Sequence, residues 1–140
     1  MKSSTQQLNV FLIYAHTDKD AVHKLHQRLV RDGINAWLDA QNLQPGQDWP
    51  HEIRRAILKS DLVLVCLSRA FNKQPGFRHE ELRIAFEKAK LLDDGGIFII
   101  PVRLEKCKMP DSLGHLHRVD LFEPDGYKKL IHALLEKMKQ

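Results

Sequence analysis

Three stretches of this chain are apolar almost without interruption: NVFLIYA at 9–15, DLVLVCLS at 61–68 and GIFIIPVRL at 96–104. A strand with one wet face alternates apolar and polar residues. Unbroken β-prone runs therefore predict strands covered on both faces, as in a parallel sheet. INAWLD (34–39) and RVDLF (118–122) predict two weaker strands. Between the strands the apolar period lengthens to that of a helix. Val22, Leu25 and Leu29 share one face of a helix that Asp18 would cap and Gly33 would stop. In DWPHEIRRAILKS, Ile53, Ala56 and Ile57 turn inward, Asp48 is the N-cap, and Pro50 sits in the first turn, where its missing N–H costs little. A third helix runs from Gly76 to Leu92 and is stopped by Asp93-Asp94-Gly95-Gly96. A last one, GYKKLIHALLEKM, sets Leu130, Ala133, Leu134 and Met138 on one side.

The order is β-α-β-α-β-α-β-loop-β-α. Such alternation implies an α/β fold with a parallel sheet and helices on both faces. A flavodoxin-like three-layer arrangement of five parallel strands, in the order 2-1-3-4-5, is the expected topology. Ligands of such sheets gather at the carboxyl ends of the strands, here after Tyr14, after Asp39 and after Ser68. A chain of 140 residues suits one domain with a real core. Residues 8–140 are expected to form it, with 1–7 as a disordered tail and 139–140 frayed.

The helix at 76–92 contains two adjacent glutamates, Glu80 and Glu81. Neighbouring residues on a helix point about 100° apart, so the two carboxylates face different surroundings. Phe77, Leu82, Ile84, Ala85, Ala89 and Leu92 form a broad apolar arc, and Glu81 falls near its middle. Glu80 falls at the edge, beside Arg83 and Glu87. A carboxylate on a core-facing arc is costly unless it is paired or hydrogen-bonded. Two readings stay open: Glu81 is half of a structural pair, or its helix lines a cleft and the carboxylate does chemistry there.

Composition narrows the function classes. The chain is 43% hydrophobic and 29% charged, as in ordinary globular proteins, so it can afford a packed core. Its net charge of +4 is dispersed, without a basic tract or an RNA-type aromatic motif, which argues against nucleic-acid binding. No apolar run approaches the roughly 20 residues of a membrane span, so no membrane contact is expected from this chain. Two cysteines, one inside an apolar run, fit a reduced, cytoplasmic setting. Eight histidines do not form a His-Glu-x-x-His or zinc-spaced pattern, so no metal is expected. Ser68 lacks the Gly-x-Ser-x-Gly context of a hydrolase elbow, and no Gly-x-Gly-x-x-Gly follows the first strand. Asp18 and Asp20 resemble the acidic residues of phospho-receivers, but Leu67-Ser68 stands where a receiver needs aspartate.

VFLIYAHTDKD (10–20), GINAWLDAQNLQPGQDWPHEIRRAILKSDLVLVCLS (33–68) and FNKQPGFRHEELRIAFEKA (71–89) together resemble the TIR (Toll/interleukin-1 receptor) domains, in their bacterial style. The boxes are an apolar strand with Tyr14 and an Asp-rich turn, a strand ending Trp37-Leu38-Asp39, the long loop with Pro45-Gly46, and an aromatic four residues before a glutamate, Phe77 and Glu81. The likeness covers residues 8–138. It departs at Ile13, where the family often has Ser, and at Phe77-Arg78, where it often has Trp and Cys. For the family's enzymatic branch the resemblance implies cleavage of NAD+ at the nicotinamide–ribose bond, with Glu81 as the catalytic residue. NAD+ is then substrate, and no cofactor is implied. Tyr14 and Ala15 would wall the nicotinamide side, Tyr14 being equally a core tyrosine. Asp39 would meet a ribose hydroxyl or orient the loop, and Trp49 would stack on a base or hold the loop down. Ser68 would hydrogen-bond ligand or start the next helix, and Phe77 would be cleft wall or core. The rival implication is a non-catalytic module that signals by binding other TIR domains through the loop of Asn42, Leu43, Gln44, Pro45 and Gly46. Both can hold at once, in an immune or stress-signalling protein that works as a homo-oligomer or filament.

Overall fold

The computed structural model describes residues 7–38, 45–46, 48–73, 77–92 and 97–138; the side chains of Trp49, Phe77, Arg78 and His79 lie outside the description. Residues 1–6 of the expected 1–7 tail and the expected frayed end at 139–140 also lie outside it. The elements are β1 (Asn9–Ile13), α1 (Lys19–Arg31), β2 (Asn35–Leu38), α2 (Trp49–Lys59), β3 (Leu62–Leu67), α3 (Arg69–Lys73), α4 (Phe77–Ala89), β4 (Ile99–Arg103), β5 (Val119–Asp120) and α5 (Gly126–Met138). The five strands form one sheet in the order β2-β1-β3-β4-β5, with every neighbouring pair parallel. This is the expected flavodoxin-like three-layer fold.

The two-residue period of the strands sorts the core into two layers. Val10, Leu12, Leu64, Cys66 and Val102 face α1 and α5, where they meet Val22, Leu25, Leu29, Leu130 and Leu134. Phe11, Ile13, Val63, Val65 and Leu67 face α2 and α4, where they meet Ile53, Ile57, Leu82, Ile84 and Ala85. All six residues of β3 are buried, which is why its sequence is apolar throughout. Each such fully buried large aliphatic side chain contributes about 1.5–3 kcal/mol.

Local signals set the element ends. Gly33 adopts φ +89°, the left-handed conformation that ends α1 without a Cβ penalty. The Asp48 carboxylate accepts a hydrogen bond from the His51 N–H (3.4 Å), and Pro50 follows in the first turn of α2. Asp18 departs from expectation. It ends a 3-10 turn, His16–Asp18, at φ −94°, and its side chain makes no cap to α1. The carboxylate reaches across to accept from the Ser68 hydroxyl instead. Met138, at the end of α5, is 40% exposed.

Two features were not foreseen. A short helix, α3, separates β3 from α4. The last strand is only two residues long, and it is held by a two-pronged ion pair from Arg103 of β4 to Asp120 of β5 (2.7 and 2.9 Å). Gly126 then starts α5 so close to β5 that a Cβ there would lie 2.1 Å from the Asp120 carbonyl oxygen.

Candidate functional site

Helix α2 follows β2, and α4 follows β3 through α3. The first turns of α2 and α4 therefore lie at the carboxyl ends of the strands, where this class of sheet holds its ligands. At their far ends, the Lys88 ammonium of α4 donates to the Ser60 carbonyl (2.5 Å) and to the Leu58 carbonyl, holding the two helices in register. Between their opening halves is a cavity of about 230 Å³, lined by Pro50, His51, Ile53 and Arg54 from α2 and by Glu80, Glu81 and Ile84 from α4.

Glu81 has no solvent-exposed surface. It sits between Leu82, Ile84 and Ala85 on the buried arc of α4, as the helix period predicts. Glu80 is half exposed. The Arg83 guanidinium donates to both Glu80 oxygens, one at 3.1 Å, and to Glu87 at 2.5 Å. That hydrogen bonding holds the Glu80 carboxyl below its ordinary range. Arg54 adds a looser contact to Glu87, 3.8 Å away. Arg54, Glu87, Arg83 and Glu80 thus form a charged ladder from α2 to α4, and its two ends, Arg54 and Glu80, line the cavity together with Glu81, Ile53 and Ile84.

The other expected site residues divide. Ala15 is fully buried in the α2/α4 layer, the same layer as Ala85. Tyr14 points to the opposite side and packs in the α1/α5 layer, 5% exposed. Strand alternation separates the two neighbours, so β1 presents Ala15 rather than Tyr14 to the side that carries Glu81. Ser68 is 1% exposed. Its hydroxyl accepts from the Phe71 N–H (3.0 Å), capping α3, and donates to Asp18. These hydrogen bonds serve the start of α3. Trp49 and Phe77 are the first residues of α2 and α4, one residue before the cavity-lining Pro50 and three before the cavity-lining Glu80. Asp39, Asn42, Leu43 and Gln44 lie outside the described residues. Pro45 and Gly46 form an exposed turn, with Gly46 at φ +90°.

Sequence reasoning missed Pro50, His51 and Arg54. A partial signal was present: Arg54 lies four residues after Pro50 and three after His51, the spacings at which helical side chains are neighbours. A larger cavity, about 590 Å³, lies elsewhere, between α4, α5, β4 and the segment entering β5, lined by Phe86, Ile99, His117, Lys129 and their neighbours. None of the expected site residues is in its lining. Among the described residues no three His, Cys, Asp or Glu side chains are grouped as a metal set. Among the same residues no helix is long and apolar enough to cross a membrane.

Residues 10–135 match the family model described as TIR domain. The chain belongs to the TIR-domain family. An uncharacterised protein, y4cD of Sinorhizobium fredii, is 29% identical over 134 residues. The match takes in 94% of this chain but 21% of y4cD, so this TIR domain spans about a fifth of that relative's length. Among solved structures, the TIR domain of the Toll-related receptor TRR-2 from Hydra magnipapillata superposes with a TM-score of 0.75 at 24% identity, over 90% of this chain and 97% of that one. The CMP N-glycosidase BcmB of Clostridium botulinum superposes with a TM-score of 0.55 at 18% identity, over 89% and 98% of the two chains. At these identities the likeness is one of fold.

Proposed function

We propose that this TIR domain cleaves NAD+ at the nicotinamide–ribose bond, with Glu81 as the catalytic carboxylate. The observation that carries the reading is a glutamate with no exposed surface lining a cavity at the carboxyl end of the sheet. The chemistry asks little of the protein. Nicotinamide leaves a cationic pyridinium as a neutral molecule, so the leaving group takes the bond's electron pair and needs no proton. The ribose carbon left behind resembles an oxocarbenium ion, as in glycoside hydrolysis. One carboxylate beside it stabilises that charge and accepts from the ribose hydroxyls, and it does so more strongly where water is excluded. Water attack then gives ADP-ribose and releases a proton. Attack by the substrate's own adenine gives a cyclic isomer. That BcmB is by its description an N-glycosidase on a similar fold agrees with this reaction class.

The second reading is assembly with other TIR domains in immune or stress signalling, including bacterial defence. It is favoured by the exposed Pro45–Gly46 turn, in the loop that would meet a neighbour. The two readings are compatible, because residues 39–48 adjoin the first turn of α2 and would both contact a second copy and border the cleft. Chromatography of NAD+ after incubation with rising concentrations of the protein tests the proposal. Nicotinamide with ADP-ribose or its cyclic isomer is the expected result. Intact NAD+ at every concentration, with self-association still altered by charge changes in residues 41–47, leaves the binding module alone standing.

A further inference from the structure

Glu81 accounts for the sugar of the proposed substrate but not for its charge. The dinucleotide carries two negative phosphates, and the cavity is lined by two carboxylates, Glu80 and Glu81. A phosphate would be repelled there unless a cation receives it. Arg54 is the lining residue with a permanent positive charge. Its guanidinium is half exposed, and among the described residues its ion-pair contact is the 3.8 Å approach to Glu87. That distance is too long for a hydrogen bond, so most of the donor fork remains to be used. Glu87 is meanwhile held by Arg83 at 2.5 Å, so losing Arg54 would not strand it.

We propose that Arg54 is the phosphate anchor of this cavity, binding the pyrophosphate of the substrate and thereby setting the nicotinamide ribose against Glu81. The inference rests on the NAD+ reading above. A planar guanidinium meets two phosphate oxygens with parallel N–H donors, giving orientation as well as affinity. The phosphate nearest the reacting sugar is one ribose ring away from the bond that breaks. Anchoring it on α2 places that ring in the space between α2 and α4, where Glu81 lies. Positively charged nicotinamide and negatively charged phosphate are then each matched, the first by Glu81 and the second by Arg54. Arg54 is a binding and positioning residue, so its removal acts on KM before kcat.

The test uses the full chain. Arg54→Gln should raise KM for NAD+ about 10- to 100-fold, the loss expected for charge-assisted hydrogen bonds, while kcat holds. Arg54→Lys should recover part of it. Glu87→Gln is the control for a merely structural tie between α2 and α4: it should leave KM unchanged or lower it. Binding of ADP-ribose, followed by calorimetry in the Glu81→Gln background, should weaken in Arg54→Gln by a similar factor. An unchanged KM, a fall in kcat alone, or a Glu87→Gln variant that copies Arg54→Gln overturns the anchor. If the wild type consumes no NAD+ but binds ADP-ribose through Arg54, the anchor stands and the catalytic reading falls. If the wild type does not bind ADP-ribose, the anchor falls.

Discussion

Replacing Glu81 by Gln is the change that most sharply separates chemistry from architecture in the opening turns of α4. Gln keeps the volume, so no cavity forms where the side chain is fully enclosed. Only the charge is lost. If the carboxylate stabilises the ribose cation, turnover should fall at least about 10²- to 10³-fold, or about 2.7–4 kcal/mol of transition-state stabilisation. The fold should hardly notice. If instead Glu81 is half of a buried structural pair, Gln would leave the partner uncompensated at a cost of about 3–5 kcal/mol. In a chain of this size that lowers Tm by about 10 °C or more. The assay is therefore double: NAD+ consumption by chromatography, and thermal unfolding followed by circular dichroism. Glu80→Gln is the matched control, since Glu80 is half exposed and engaged by Arg83 on the solvent side. A Tm drop of the larger size in Glu81→Gln, or equal loss of turnover in both variants, refutes the reasoning.

Three further outcomes follow from the structure. Asp120→Asn should cost about 2–3 kcal/mol in urea unfolding, because it breaks the two-pronged bond that holds the short β5. The hydrogen bonds from Arg103 hold the Asp120 carboxyl below its ordinary range. Its stabilisation is therefore complete above about pH 4, the value of a free aspartate, and fades as pH falls through the lower folded value. Wild-type stability should thus fall more steeply than that of Asp120→Asn below that pH, and parallel acid-unfolding curves would contradict this. Ser68→Ala should cost about 1–2 kcal/mol by the same urea measurement, since it removes the cap of α3 and strips Asp18 of a donor; an unchanged midpoint would count against it. With a thiol reagent at mildly alkaline pH, Cys107 should be modified before Cys66. Burial, and secondarily the nearby Asp18, push the Cys66 thiol far up and keep it shut inside β3. Labelling of Cys66 faster than global unfolding would be inconsistent with that enclosure.

The sheet was legible because its evidence is local and redundant. Unbroken apolar runs announced β1, β3 and β4, and the alternation with amphipathic helices implied the parallel order. Glu81 was legible for a related reason: a charge on an otherwise apolar helical arc breaks a strong pattern. The features that escaped depend on residues far apart in sequence. Asp18 looked like a helix cap until Ser68, fifty positions later, proved to be its partner. Arg103 and Asp120 gave no local sign of pairing, yet they define where β5 exists. Tyr14 and Ala15 read as one candidate pair at a strand end, and only the pleat decides which layer each enters. Arg54 was hard to single out because an arginine on a helix that also carries Arg55 and Lys59 reads as ordinary solvent-facing charge.

The placement of Glu81 also explains how the fold tolerates it. The α1/α5 layer contains Leu12, Leu64, Leu29, Leu130 and Leu134 and owes nothing to α4. Within the α2/α4 layer, Leu82, Ile84 and Ala85 carry the packing of α4 on the sheet, and Lys88 ties its far end to α2. The energetic cost of an enclosed carboxylate is thus confined to the opening turns of one helix, where the cavity already interrupts the packing. The same geometry links the two functional readings. In the proposed assembly the loop that precedes α2 would meet a second copy, and Arg54 lines the cavity from the second turn of that helix. Contact at the loop would then bear on the position of the proposed phosphate anchor relative to Glu81.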